Sequence, residues 1–110
     1  MNKYCTITTT VATLEDAKKI SKVLLEKRLI SCAQTSEITS SYWWNNRIEN
    51  EKEYLITMKT KTSLYSEIEE LIIKNHPYEV PEIVMTEISD GYYAYLNWIS
   101  EETTNPKANI

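Results

Sequence analysis

His76-Pro77-Tyr78-Glu79-Val80-Pro81-Glu82-Ile83 brings the only histidine of the chain, a phenol and two carboxylates into one run stiffened by two of the three prolines. An imidazole titrates near neutrality and is the commonest metal ligand. Carboxylates beside it can hold a divalent cation or act as general acid and base. The sharpest chemical reading is a divalent metal at His76, Glu79 and Glu82. The plainer reading makes His76 a helix-end residue that bonds the last carbonyls, with Glu79 and Glu82 as a solvated rim. Glu49, Glu51 and Glu53 alternate, so they share one face of a strand. They could gather a cation, but a solvent-facing acidic stripe is the expectation. Cys32 with His76 could form a thiolate–imidazole pair. Its setting, Leu29-Ile30-Ser31-Cys32-Ala33, is apolar, and a buried thiol has a raised pKa and is inert.

Composition removes several function classes. The net charge of -4 opposes binding to a phosphate backbone, which needs clustered Lys and Arg. Tyr42-Trp43-Trp44 could stack bases, but without interleaved basic residues these aromatics fit interface packing better. Gly91 is the sole glycine, so no Gly-rich loop can cradle a phosphate. Cys5 and Cys32 form no CxxC, which leaves a thiolate zinc site unsupported. No apolar run approaches the roughly 20 residues of a membrane span, and no signal pattern opens the chain. A cytoplasmic protein with reduced thiols follows as the expectation. With 8 Tyr, 3 Trp and no Phe, almost every aromatic carries a polar handle suited to half-buried surfaces.

The elements that must position these groups read as β-α-β-β-α-β-α. Lys3 to Val11 is a Thr/Val/Ile-rich strand. Thr13 caps a helix running to about Arg28, with Leu14, Ala17, Ile20 and Leu24 at helical spacing. A second strand starts at Leu29 and runs through Trp44, Asn45-Asn46 turns the chain, and Arg47 to Lys61 returns. Ile48, Tyr54, Ile56 and Met58 fall on one parity of that return strand. The two strands are long for so small a domain, so their hairpin projects past its own core. Thr62-Ser63 opens a helix with the stripe Leu64, Ile68, Leu71 and Ile72, which Pro77 ends. Ile83 to Ile88 is a fourth strand. Tyr92 to Glu102 is a last helix with Tyr92, Tyr95, Leu96 and Ile99 on one side. Residues 1–103 make one domain and 104–110 a frayed tail. This is an α+β chain of ferredoxin-like, split βαβ order with an extra C-terminal helix. Two helices would cover one face of a four-stranded antiparallel sheet, and self-association is the simplest cover for the other.

Leu29-Ile30-Ser31-Cys32-Ala33, Tyr42-Trp43-Trp44 with Arg47-Ile48-Glu49, Glu53 with Lys59-Thr60, the His76–Ile83 run and Tyr95-Leu96-Asn97-Trp98 occur in this order. Together they resemble the CutA1 (divalent-cation tolerance) family over most of the chain. The resemblance implies a tight homotrimer with long strands reaching into neighbouring subunits, an architecture similar to the PII signalling proteins. It implies tolerance of divalent metals, with copper bound by some bacterial members, acetylcholinesterase anchoring linked to animal ones, and no firmly attached enzymatic reaction. No cofactor is obligatory on this reading, and a divalent cation such as copper is the candidate ligand. A ligand cleft or intersubunit contact would draw on Tyr42, Trp43, Trp44, Arg47, Glu49, Lys59, Tyr78 and Trp98. Copper-binding members carry a second histidine where this chain has Asn75 and a cysteine where it has Thr9, so only His76 carries over. Gly usually stands where this chain has Asn46. The competing readings are a PII-like metabolite sensor, with Arg47 and Lys59 lining intersubunit clefts, and a structural trimer acting through protein contacts.

Overall fold

The computed structural model describes residues 3–106. The elements are β1 (Tyr4–Val11), α1 (Leu14–Glu26), β2 (Cys32–Trp44), β3 (Arg47–Lys61), a 3-10 turn (Thr62–Leu64), α2 (Tyr65–Asn75), β4 (Val84–Glu87) and α3 (Tyr93–Glu102). All strand pairs are antiparallel and the sheet order is β2-β3-β1-β4. This is the expected α+β ferredoxin-like arrangement with an additional helix.

Local chemistry sets the boundaries. Thr13 is extended, and its hydroxyl accepts the Asp16 amide at 3.1 Å. Such a cap is worth about 1 kcal/mol. At the other end of α1, Arg28 adopts φ 58°. The Leu29 amide reaches back to the Leu24 carbonyl and the Arg28 amide to the Leu25 carbonyl, both at 3.0 Å. This is a Schellman closure, with arginine where glycine is usual. Leu29 and Ile30 are therefore buried residues that close the helix, and strand pairing begins only at Cys32, later than the apolar run predicts. Asn45 and Asn46 take φ 51° and 62°. Two consecutive left-handed residues make the turn whose twist suits a two-residue hairpin. The second helical segment opens at Thr62-Ser63 as expected, as a tight 3-10 turn that becomes α-helical at Tyr65, and the fourth strand is shorter than Ile83–Ile88.

Cys5, Ile7 and Val11 of β1 and Ile56 and Met58 of β3 face α1 and α2, and Ala17, Ile20, Leu24, Leu64, Ile68 and Ile72 complete the core. The opposite sheet face is partly covered by the chain itself, which the strand–helix order alone did not indicate. Ile99 of α3 is fully buried. Tyr95 of α3 meets Cys32 and Lys59, and the Lys61 ammonium donates to the Thr103 carbonyl at 3.2 Å. Tyr92 and Tyr95, expected on the packed side of this helix, are exposed. The end of α3 is tied down. The Thr104 amide donates to the Arg28 carbonyl at 2.8 Å and Arg28 pairs with Glu102 at 2.6 Å. The rest of the expected tail, from residue 107, lies outside the described residues.

Candidate functional site

β1 ends where Val11 pairs with Tyr54, while β2 continues beside β3 up to the Trp44–Arg47 pair. Residues 47–53 of β3 thus have a strand on one side only. At about 3.3 Å per residue, this two-stranded arm extends roughly 20 Å beyond the three-stranded region. Trp43 at the arm's end is 71% exposed and Ile48 is 62% exposed, although Ile48 shares the parity of the buried Ile56 and Met58.

The 76–82 corner folds against the base of this arm. Pro77 disfavours helix for His76, which takes φ -91° and ψ 133° and ends α2. The His76 ring then bridges two backbone groups. Its Nε2 lies 2.8 Å from the Thr10 carbonyl, and its Nδ1 lies 3.1 Å from the Tyr78 amide. A carbonyl can only accept, so Nε2 carries the hydrogen and Nδ1 accepts from the amide. His76 therefore ties the end of β1 to the corner, and both ring nitrogens are engaged. The Asn75 side chain turns back onto its own helix, donating to the Leu71 carbonyl at 2.8 Å. Thr9 lies on the core face opposite Ile56, fully buried, and its hydroxyl has no partner.

Tyr78 stacks at a tilt against His76, with ring centroids 4.8 Å apart. Its hydroxyl donates to Glu53 Oε2 at 2.7 Å. Glu53 is only 6% exposed, so the expected solvent-facing stripe holds at Glu51, is half-buried at Glu49 and fails at its third member. The corner seals over Glu53, and Tyr78 supplies the hydrogen bond that a buried carboxylate requires. Burial and the adjacent Glu53 carboxylate push the Tyr78 phenol far above its ordinary range. Partial desolvation and the carboxylates of Glu51, Glu53 and Glu49 raise Tyr42 as well.

Arm and corner enclose a pocket of about 590 Å³. Tyr42, Trp43, Trp44 and Tyr78 supply its aromatic lining and Glu53, Glu79 and Glu82 its charge; Thr10, Ser40, Ser41 and Val80 fill the gaps. Four of the expected cleft residues thus meet two of the expected metal ligands. The other expected residues lie elsewhere. Arg47 pairs with Glu49 at 3.8 Å near the turn. Lys59 donates to Gln34 at 2.7 Å and sits over the Tyr95 ring. Trp98 packs beside Tyr95 with centroids 5.6 Å apart. Cys32 lies 3.8 Å from the Tyr95 hydroxyl, at the α3 end of the sheet, so no thiolate–imidazole pair forms with His76. Among the described residues no three His, Cys, Asp or Glu side chains come close enough to hold a metal ion. Sequence reasoning missed Glu53 as a pocket residue. Its signals were its place with Lys59-Thr60 in the family resemblance and among the alternating glutamates, and neither says which glutamate a distant corner will cover.

Comparison with known proteins now separates the family from the many others that share this fold. The model of the CutA1 divalent ion tolerance protein matches residues 5–102. The chain belongs to the CutA1 family. A divalent-cation tolerance protein CutA from Pyrococcus horikoshii is 42% identical over 95 residues, covering 86% of this chain and 93% of that protein. The human protein CutA is 35% identical over 95 residues, covering 86% of this chain and 53% of its own length. Among solved structures, CutA1 from Pyrococcus horikoshii superposes with a TM-score of 0.89 at 40% identity, over 92% of this chain and 99% of that one. CutA1 from the psychrotrophic Shewanella sp. SIB1 gives 0.91 at 35% identity, over 94% and 98%. The names of these CutA1 relatives carry no reaction. A CutA from Archaeoglobus fulgidus, 33% identical, is described as periplasmic. In the present chain no helix among the described residues is long and apolar enough to cross a membrane.

Proposed function

We propose that this CutA1 chain is a homotrimeric, non-catalytic binding protein acting in divalent-cation tolerance inside the cell, and that the pocket between arm and corner is its ligand site. One observation carries the site. Glu53 is more than nine-tenths buried, held through one oxygen by Tyr78, and lines a cavity whose charged residues are all carboxylates. Such a cavity favours a cation and repels phosphates and carboxylates. The trimer rests on the arm. A two-stranded ribbon is marginal in water by itself, and one carrying exposed Trp43 and Ile48 on the strand face opposite Glu53 is best completed by other copies of the chain. An intracellular setting rests on Cys5 and Cys32, which stand unbridged.

Calorimetric titration with Cu²⁺ and with Mg²⁺ tests the site. If the cation held there is a metal ion, its binding should be saturable and weakened at least tenfold by Glu53→Gln, a loss of about 1.4 kcal/mol or more. Binding unchanged by that substitution would remove the pocket as the site. A second reading, copper held at His76, predicts loss with His76→Ala instead. It requires the ring to give up its bond to Thr10 or to Tyr78. The metabolite-sensor reading is less supported, because Arg47 and Lys59 lie apart and each has a local partner.

A further inference from the structure

The pocket's wall chemistry narrows the cation it takes. The rings of Tyr42 and Trp44 share the strand face of Glu53, Tyr78 reaches Glu53 from the corner, and Trp43 lines the same space from the opposite strand face. Glu79 and Glu82 complete the charge, and among the described residues no Lys, Arg or His lines the pocket. The groove between α2 and the segment that follows α1 gives the contrast. It is lined by Lys27 and Lys74 as well as Glu67 and Glu70, so it has no preference of sign. The volume of about 590 Å³ is that of a small organic molecule rather than of a single ion.

A bare divalent ion fits this lining poorly. It needs several oxygen ligands converging at short range, and the carboxylates here do not converge. Aromatic faces do nothing for a strongly hydrated ion. They do attract an organic ammonium or guanidinium over the ring face and pack against the apolar stem that carries it. Only one Glu53 oxygen, Oε2, takes the Tyr78 hydrogen bond, and the carboxylate lines the cavity. The raised Tyr42 and Tyr78 phenols stay protonated at neutral pH, so their hydroxyls add polar contacts without adding charge.

We propose that this pocket binds an organic cation, an ammonium or guanidinium group carried on an apolar stem, with Glu53 as the counter-charge and the Tyr42, Trp44 and Tyr78 rings around the stem. The proposal rests on the reading of the pocket as the ligand site and changes the class of ligand from a metal ion to an organic one. It makes Glu79 and Glu82 the outer charges that draw the cation in and leaves His76 as a positioning residue.

The test is calorimetric titration of the full chain with phenethylammonium, beside the neutral 2-phenylethanol and beside Mg²⁺ and Cu²⁺. Phenethylammonium should bind at least tenfold tighter than 2-phenylethanol. Glu53→Gln should remove that preference while keeping the fold, since the amide oxygen still accepts from Tyr78. Glu82→Gln, at an exposed rim position, should weaken binding by about twofold to fivefold, the range of an exposed charge pair. Equal binding of the amine and the alcohol, or an amine preference that survives in Glu53→Gln, overturns the proposal. Binding of Mg²⁺ or Cu²⁺ that depends on Glu53, with no binding of the amine, overturns it but leaves the pocket as the ligand site. If neither the amine nor the metals bind, both readings fall. A side chain from a second copy filling the cavity in a crystal of the assembled protein would also overturn it.

Discussion

From Tyr54 to Lys59, β3 has β1 on one side and β2 on the other, and the inward residues Ile56 and Met58, with Thr60 just beyond, are buried beneath the helices. From Arg47 to Glu53 the same strand has β2 alone, and Ile48 stands in water although its parity is that of Ile56. Alternation fixes which side chains share a face, and says nothing about whether that face is covered. Cover comes from a third strand and a helix, and both stop short of the arm. The exception is Glu53 at the boundary, buried because the 76–82 corner reaches it from the far side of the sequence.

The comparison is broken most forcefully at the isoleucines. Ile56→Ala should cost about 3 to 4 kcal/mol in urea unfolding, the usual range for emptying a packed core site. Ile48→Ala should change the stability of the single protomer by less than about 0.5 kcal/mol. It should instead shift the assembled mass in light scattering at micromolar protein. A large loss of protomer stability from Ile48→Ala would show the arm to be as much core as the base.

Tyr78→Phe probes the boundary itself. It removes the hydroxyl that satisfies Glu53, and should cost about 1 to 3 kcal/mol by the same unfolding measurement. A cost near zero would mean that water replaces the phenol freely and that Glu53 belongs with the exposed arm.

Alkaline titration sharpens the contrast. Burial pushes the Cys5 thiol up to about 11. A hydrogen bond to Glu69, with burial, pushes Tyr65 up to about 12. Tyr78 is raised further still. The folded protein keeps these protons at a pH where the unfolded chain has released them. Their contribution is therefore complete below the ordinary values and is lost as pH rises through the folded ones. Stability should fall from about pH 9 onward. Tyr78→Phe should flatten that slope at the boundary and Tyr65→Phe at the base, each followed by denaturant unfolding across the range. A slope unchanged in both variants would contradict the assignment.

The smallest effect belongs at the arm's end. Asn46→Gly should leave stability within about 0.5 kcal/mol, because relief of the left-handed conformation is offset by a looser unfolded chain. Asn46→Val should cost about 1 to 2 kcal/mol. Both are read from thermal unfolding. A harmless valine would mean that the turn does not hold the arm's register.

Much of this fold is written locally. The Thr13 cap, the Asn45-Asn46 turn and the Pro77 stop each act over a few residues, and β3 spans the residues its pattern predicts. The candidate site is less legible because it depends on contacts far apart in sequence. Tyr78 finds Glu53 and His76 finds Thr10 only after the sheet exists. Lys59 and Trp98 looked like partners of the hairpin aromatics and are drawn instead to α3, because strand parity sends Lys59 to the face that Tyr95 covers. The second helix-end histidine expected of copper binders is replaced by Asn75, whose amide finds its own helix first.

The two registers of β3 also differ in when they can form. Trp44 meets Arg47 across a two-residue turn, whereas Tyr4 must find Lys61 and Val11 must find Tyr54 over most of the chain between them. Short loops close in well under a microsecond and hairpins in microseconds, while pairings between distant residues carry the entropy of a long closure. Zippering from Asn45-Asn46 therefore lets the arm form ahead of the β1–β3 pairing, although it is the least covered at the end. Each new chain would hold out Trp43 and Ile48 before its own core has closed, and the proposed assembly of copies would begin there.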